Sequence, residues 1–260
     1  SIDTSEAESM PGVLHVWTAK DIDLAPASAD MRMLNQAMKF PFLAIDTVRY
    51  VGDLVAMVIS EEKAQGVDAA EMVIVDYDPL PAVIDVDESL RGDVILHPEA
   101  GTNVVLTFAN DDERDIFAGC EIVVELTIEN NKVATAPLEV RSVASRWDGD
   151  RLTQWACSQG AHGARDGLAR VLGVDPANVR VITPDVGGGF GAKNGVYPDE
   201  ILVGWAARRL GRPARWTETR TENMLAMGHG RAQRQRTKMG GTKDGRITAY
   251  RNDVVQDGGA

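Results

Sequence analysis

The chain has 260 residues, 44% hydrophobic, 25% charged and 5% aromatic, with 25 glycines and 11 prolines; this is the composition of a globular protein, long enough for one large domain or two modest ones. No apolar run approaches the roughly 18 to 20 residues of a membrane-spanning helix, and Ser1 to Glu6 lacks the basic flank and apolar stretch of a signal peptide, so the cytoplasm is the expected compartment. The net charge of −12 is uneven: residues 1–130 hold 26 acids and 7 bases, the remainder 13 and 20, so the first part repels nucleic acid while the second attracts anions, or the two parts complement each other.

In chain order, Ser5 to Met10 reads as the last turn of a helix closed by Pro11-Gly12, and Val13 to Trp17 as a strand. Leu54 to Ile59 is an apolar run of strand length. Ser60 is placed to cap a helix over residues 61–70 with acids in its first turn, and Met72 to Tyr77 returns as a strand, a βαβ-like unit. Residues 82–112 promise little regular structure and contain the expected domain boundary, with 1–90 as the first domain, 91–112 as linker and 113–260 as the second domain. Cys120 to Ile128 alternates as a strand does. Val140 to Trp147 and Arg151 to Ala156 flank Asp148-Gly149-Asp150, a hairpin signal. His162 to Leu172 has helical spacing with Gly173 as its stop, and Val179 to Ile182 is a short strand. A second helix is expected from Pro198 to Leu210, with Ile201, Leu202, Trp205 and Leu210 as its buried stripe and Gly211 as its end. Arg215 to Glu218 follows as a strand, and Lys243 to Arg246 is a turn between two more. Both ends of the chain look cut.

Chemistry concentrates in Gly187-Gly188-Gly189-Phe190-Gly191. Each glycine costs folding entropy and packing, and in return lets backbone approach a ligand. A phosphate-binding P-loop fails, because Lys193 follows Ala192 and precedes Asn194 rather than Ser or Thr. A dinucleotide fingerprint can be laid on Gly187, Gly189 and Ala192 with Glu218 as ribose acid, but four residues separate the strand from its first glycine. A tight turn without ligand is the plain alternative. Cys120 and Cys157 form neither a disulfide framework nor a zinc site, and Cys157 reads as a small buried thiol. Arg231, Arg234, Arg236 and Lys238 lack interleaved aromatics and read as a solvated strand face rather than a nucleic-acid surface.

Trp155 to His162, then Gly188-Gly189-Phe190-Gly191-Ala192-Lys193 with Phe190 31 positions after Gln159, then Tyr197-Pro198-Asp199-Glu200 and Gly211 to Trp216, together resemble the molybdenum-binding large subunit of the xanthine dehydrogenase/aldehyde oxidase/carbon monoxide dehydrogenase family. Ser9 to Val13, Arg49-Tyr50-Val51-Gly52, Tyr77 to Pro81 and Pro137 to Arg141 stand in the family's order, so the resemblance covers essentially the whole chain. It implies an α+β fold: a partial α/β hammerhead domain followed by the first part of a molybdopterin-binding domain. It also implies roles. Gln159 donates toward an oxygen on molybdenum, a task for a neutral amide; Gly188, Gly189, Phe190 and Gly191 line the cofactor as preorganised donors; Asn194 stands in the substrate pocket, where purine-oxidising members carry a glutamate. His162 and Lys193 are further candidates for cofactor contact. No metal ligand and no catalytic residue is expected within this chain, the general-base glutamate being expected beyond Ala260. The cofactor implied is molybdopterin, as its cytosine dinucleotide. FAD and [2Fe–2S] clusters are implied on partner subunits, in a dimer of heterotrimers acting on a small molecule, because the chain has no iron–sulfur cysteine pattern. The implied reaction is hydroxylation of an aldehyde, an N-heterocycle or a similar molecule with water as oxygen source, and a fragment alone is expected to be inactive. The alternative is a nucleotide-binding or scaffolding module that keeps the fold without catalysis.

Overall fold

A computed structural model describes residues 1–29, 31–110 and 114–259. The expected edge between linker and second domain, at residues 112 and 113, lies outside the described residues.

The first part runs β1 (Ile2–Asp3), α1 (Ser5–Ser9), β2 (Val13–Thr18), β3 (Ala27–Ser28), β4 (Lys39–Phe40), β5 (Ala56–Ser60), α2 (Lys63–Glu71), β6 (Ile74–Val75) and α3 (Val86–Arg91). β1 pairs with β6, β2 with β5 and β3 with β4, all antiparallel. The expected βαβ-like unit is therefore not a parallel pair, since the strands flanking α2 have separate partners. α1 is a whole short helix, entered from β1, rather than the end of a longer one. α2 starts two residues later than the Ser60 cap predicts: Glu62 holds the N-cap, its N–H donating to Gln65 Oε1 at 3.0 Å, while the Ser60 hydroxyl donates to the Glu62 carbonyl. Residues 82–110 are also more ordered than expected. Asp85 caps α3 by accepting from the N–H groups of Asp87 and Glu88, and Gly92 closes it at φ +72°, the left-handed conformation that glycine adopts without a Cβ clash.

The second part runs β7 (Ile122–Val133), β8 (Ser142–Asp148), β9 (Arg151–Ala156), α4 (Ala161–Leu172), β10 (Val179–Ile182), α5 (Pro198–Leu210), β11 (Ala214–Thr217), α6 (Arg220–Ala226), β12 (Gly230–Gly241) and β13 (Ile247–Gln256). One sheet has the order β10-β9-β8-β11; β10 lies parallel to β9 through the α4 crossover, and the other pairs are antiparallel. A second sheet, β13-β12-β7, is antiparallel. α5 begins and ends where expected, but its buried residues run continuously from Glu200 to Ala207 rather than along a stripe. It is enclosed because both parts of the chain pack on it. Trp17 of β2 meets Trp205 edge-on at 4.9 Å, and Val203 packs on Val143 and Ala156 of the sheet. Phe42 and Leu43 join Leu152, Leu168 and Ile201 in one cluster, so the two parts share a continuous core.

The acidic and basic parts of the chain meet in the second sheet. Arg234 bonds Glu129 on the neighbouring strand β7 and Asp87 of α3, and Lys238 faces Glu125 at 4.0 Å, so two members of the basic run are paired with acids. The opposite face is mainly apolar: Ile122, Val124, Leu126, Ile128, Met239, Tyr250 and Val254 share it by register around Gln235, Thr237 and Asn252, and these seven are each 40 to 60% exposed. An uncovered apolar face of this kind promotes association. Leu126→Lys is expected to reduce concentration-dependent association of the chain, read by light scattering, while unfolding free energy changes by less than about 1 kcal/mol, as for most exposed positions.

Candidate functional site

The parallel pair β9/β10 fixes the position of the site. In open α/β sheets, ligands are taken at the carboxyl ends of parallel strands. β9 ends at Ala156 and delivers Cys157-Ser158-Gln159; β10 ends at Ile182 and delivers the glycine cluster. These two segments clasp each other. The Gln159 N–H donates to the Lys193 carbonyl at 2.8 Å, and Gln159 Oε1 accepts from the N–H groups of Gly191 at 2.9 Å and Lys193 at 3.2 Å. With the amide oxygen held by two donors, the orientation of the carboxamide is set and its Nε2 is left to donate elsewhere. A Cβ on Gly189 would stand 2.3 Å from Gln159 Oε1, so only glycine lets the amide sit there.

The cluster itself is a tight turn. The Ala192 N–H donates to the Gly189 carbonyl at 2.9 Å, and the two central residues, Phe190 at φ +53° and Gly191 at φ +90°, both have positive φ, as in a type I′ turn. For phenylalanine this conformation costs about 1 to 2 kcal/mol, and the ring it displays is 73% exposed. Strain retained to project an apolar side chain into solvent is characteristic of binding sites.

The Lys193 side chain turns to Glu139 rather than joining Gln159 on this surface. His162 is exposed on the first turn of α4. The Lys193 side chain is 1% exposed, and its Nζ donates to the Glu139 carbonyl at 2.9 Å and to Glu139 Oε2 at 2.8 Å. Glu139 Oε2 also accepts from the Gly187 N–H, and the Glu139 N–H donates to the Gly187 carbonyl. Burial would raise the Glu139 carboxyl, but the hydrogen bonds from Lys193 and Gly187 and the Lys193 charge outweigh it and hold it below the usual range. Asn194, exposed, follows directly.

Beneath the clasp lies an ion cluster whose members were not visible as a group in the sequence. Arg141, 1% exposed, makes a fork to Asp199 at 2.8 and 2.7 Å and binds Glu218 Oε2 through Nε and Nη2 at 3.0 and 2.8 Å. Its guanidinium lies 4.1 Å from the Tyr197 ring centroid. Glu218 also accepts from Asn223, so it is enclosed at 2% exposure and does not serve as the ribose acid of a dinucleotide site. Cys157 is buried as expected, its Sγ accepting from the Ser142 N–H.

Glu200 sits beside this cluster, 5% exposed, with its carboxylate accepting the Tyr197 N–H at 3.0 Å. Burial pushes its pKa up from 4.5 to about 7. The folded chain thus holds this proton more tightly than the unfolded chain, so the Glu200 contribution to stability is complete below about pH 4.5, is lost as pH rises to about 7 and is level above that. Glu200→Gln, which keeps an acceptor for Tyr197, is expected to flatten this slope and to stabilise the chain at pH 8 by about 2 to 3 kcal/mol, measured by urea unfolding across pH.

The clasp, the turn and the ion cluster lie together at the end of a parallel strand pair. The family model for the molybdopterin cofactor-binding domain matches residues 96–260, and that for the aldehyde oxidase and xanthine dehydrogenase a/b hammerhead domain matches residues 1–81. The chain belongs to the aldehyde oxidase/xanthine dehydrogenase family, as a hammerhead followed by molybdopterin cofactor-binding sequence. It is 37% identical over its whole length to 33% of the nicotine 6-hydroxylase large subunit of Paenarthrobacter nicotinovorans. It is 32% identical, again over its whole length, to 34% of the carbon monoxide dehydrogenase large chain of Afipia carboxidovorans. The crystal structure of quinoline 2-oxidoreductase from Pseudomonas putida 86 superposes with a TM-score of 0.87 at 31% identity, covering 99% of this chain and 34% of that one. The chain thus spans about a third of the length of these relatives. Among the described residues no helix is long and apolar enough to cross a membrane.

Proposed function

We propose that the chain supplies one wall of the molybdopterin site of a molybdenum hydroxylase large subunit in the carbon monoxide dehydrogenase-like branch, acting on an N-heterocycle, an aldehyde or a similar small molecule. The observation that carries this reading is the fixed Gln159 amide beside an outward-facing glycine turn. Gln159 Nε2 and the N–H groups of Gly188, Gly189 and Phe190 have no hydrogen-bond partner among the described residues, and a Cβ at Gly191 would meet nothing within 4 Å. Free amide donors beside open space at Gly191 fit an oxygen-rich, anionic pterin group. When bound, that group supplies the transfer of a water-derived oxygen to substrate and accepts two electrons. The protein's part is to aim donors: Gln159 holds an oxygen of the group without ligating or titrating, the turn amides steady the charge that develops on it, and the Phe190 ring excludes water at the rim. The Asn194 amide carries no charge and favours substrates other than purines that need a carboxylate partner, in keeping with the nicotine- and quinoline-named relatives.

Residues 1–90 then form the hammerhead, 91–112 the linker and 113–260 the start of the cofactor domain. The pterin is taken as the cytosine dinucleotide, electrons leave through FAD and [2Fe–2S] partner subunits in a dimer of heterotrimers, and the enzyme works in the cytoplasm. The test is expression of the complete subunit with its neighbouring genes in a molybdenum-supplied host, followed by metal and pterin analysis and dye-linked assays on pyridine, quinoline and aldehyde substrates. Stoichiometric molybdenum with turnover of an N-heterocycle or aldehyde supports the reading; a soluble subunit without pterin refutes it.

A further inference from the structure

We propose that the Glu139–Lys193 ion pair is the positioning device of this site, setting the height of the Gly187–Lys193 loop and so the direction in which Gln159 and Phe190 face; this rests on the functional reading above. The pair spans the loop. Glu139 Oε2 takes one donor from each end of it, the Gly187 N–H at 2.8 Å and Lys193 Nζ at 2.8 Å. Its backbone adds the Glu139 N–H to the Gly187 carbonyl at 3.1 Å and the Glu139 carbonyl to Lys193 Nζ at 2.9 Å. A Cβ at Gly187 would lie 2.6 Å from Glu139 Cβ, so the two strands of backbone meet as closely as glycine permits. Lys193 carries the constraint onward, because its own N–H and carbonyl are the groups that bond Gln159. A buried ammonium needs its carboxylate, and with Lys193 1% exposed it has no route to solvent that leaves the loop in place. Glu139 and Lys193 are bonded to the two ends of the loop and, through the Lys193 backbone, to Gln159, so they act through Gln159 and the turn.

The test reads amide hydrogen exchange by NMR on the 260-residue chain and assays retained molybdopterin on the complete subunit carrying the same substitutions. In Glu139→Gln and in Lys193→Met, the amides of Gln159 and Gly191, neither bonded to Glu139, are expected to exchange about tenfold faster or more, while Leu152 and Val181 keep their protection. Pterin retention should fall by a similar factor and both readouts should return in Lys193→Arg. If either single variant unfolds, Glu139→Gln/Lys193→Met, which buries no lone charge, is read in the same way. Unchanged Gln159 and Gly191 exchange overturns the proposal, as does pterin retention that ignores a loosened loop, or a double variant that also unfolds and so assigns the pair to the fold as a whole. Loop amides that follow the pair while the complete subunit retains no pterin in any form contradict the functional reading alone.

Discussion

Arg141→Met is expected to destabilise the chain by about 3 to 5 kcal/mol, the cost of breaking a buried ion pair from one side. For a chain of this size this corresponds to a fall of about 6 to 10 °C in Tm. The guanidinium is shared by Asp199 and Glu218 and the three side chains are 1%, 13% and 0% exposed, so its removal strands two carboxylates away from water. Burial works against the Arg141 charge, but Asp199 and Glu218 outweigh it and keep it protonated. The cluster also ties four elements together: Arg141 enters β8, Asp199 opens α5, Glu218 follows β11, and Asn223 lies in α6. Arg141→Lys keeps the charge but not the fork and is expected to lose less. Urea unfolding of both variants checks this, and a Met variant within about 1 kcal/mol of the parent refutes it.

The elements legible in the sequence were those with two agreeing signals. α5 has proline at its first position and Gly211 at φ +61° after its last, and the β8–β9 hairpin has its Asp-Gly turn, with Gly149 at φ +57°. α3 is not legible although Asp85 and Gly92 mark its ends, because six residues carry too little periodicity to compete with the surrounding Pro and Gly. α6 is not legible for the same reason, although Thr219 and Glu222 form a capping box. Strand partners were not legible, since pairing of β6 with β1 depends on residues some 70 positions apart. In the site, the glycine turn stood out through residue type and Gln159 through the resemblance to the family. Glu139 and Arg141 did not, and Glu218 did so only as a ribose acid, because a lone acid or base at a strand end usually points to solvent, and only the fold shows Arg141 and Glu218 to be enclosed and Glu139 to be paired with Lys193. The signal available was position: a Glu and an Arg two residues apart, leading into an alternating strand.

The other large effect falls on Gln159. On the proposed function, Gln159→Glu in the complete subunit should lower turnover about 100- to 1,000-fold, the usual loss when one preorganised donor is removed. The carboxylate has two acceptors and no donor, so it can still receive the Gly191 and Lys193 N–H groups that hold Gln159 Oε1 while presenting negative charge where Nε2 stood. The clasp therefore survives, and the loss is confined to the donor. Gly189→Ala approaches the same result by another route: its Cβ would fall 2.3 Å from Oε1, forcing the amide out of the clasp with its chemistry intact. Turnover per bound molybdenum separates the two, since Gln159→Glu should keep its pterin better than Gly189→Ala, whose turn is displaced as well. Turnover per molybdenum within about threefold of the parent in Gln159→Glu would remove the amide from the reaction, because a contact of that size contributes less than 1 kcal/mol to the barrier.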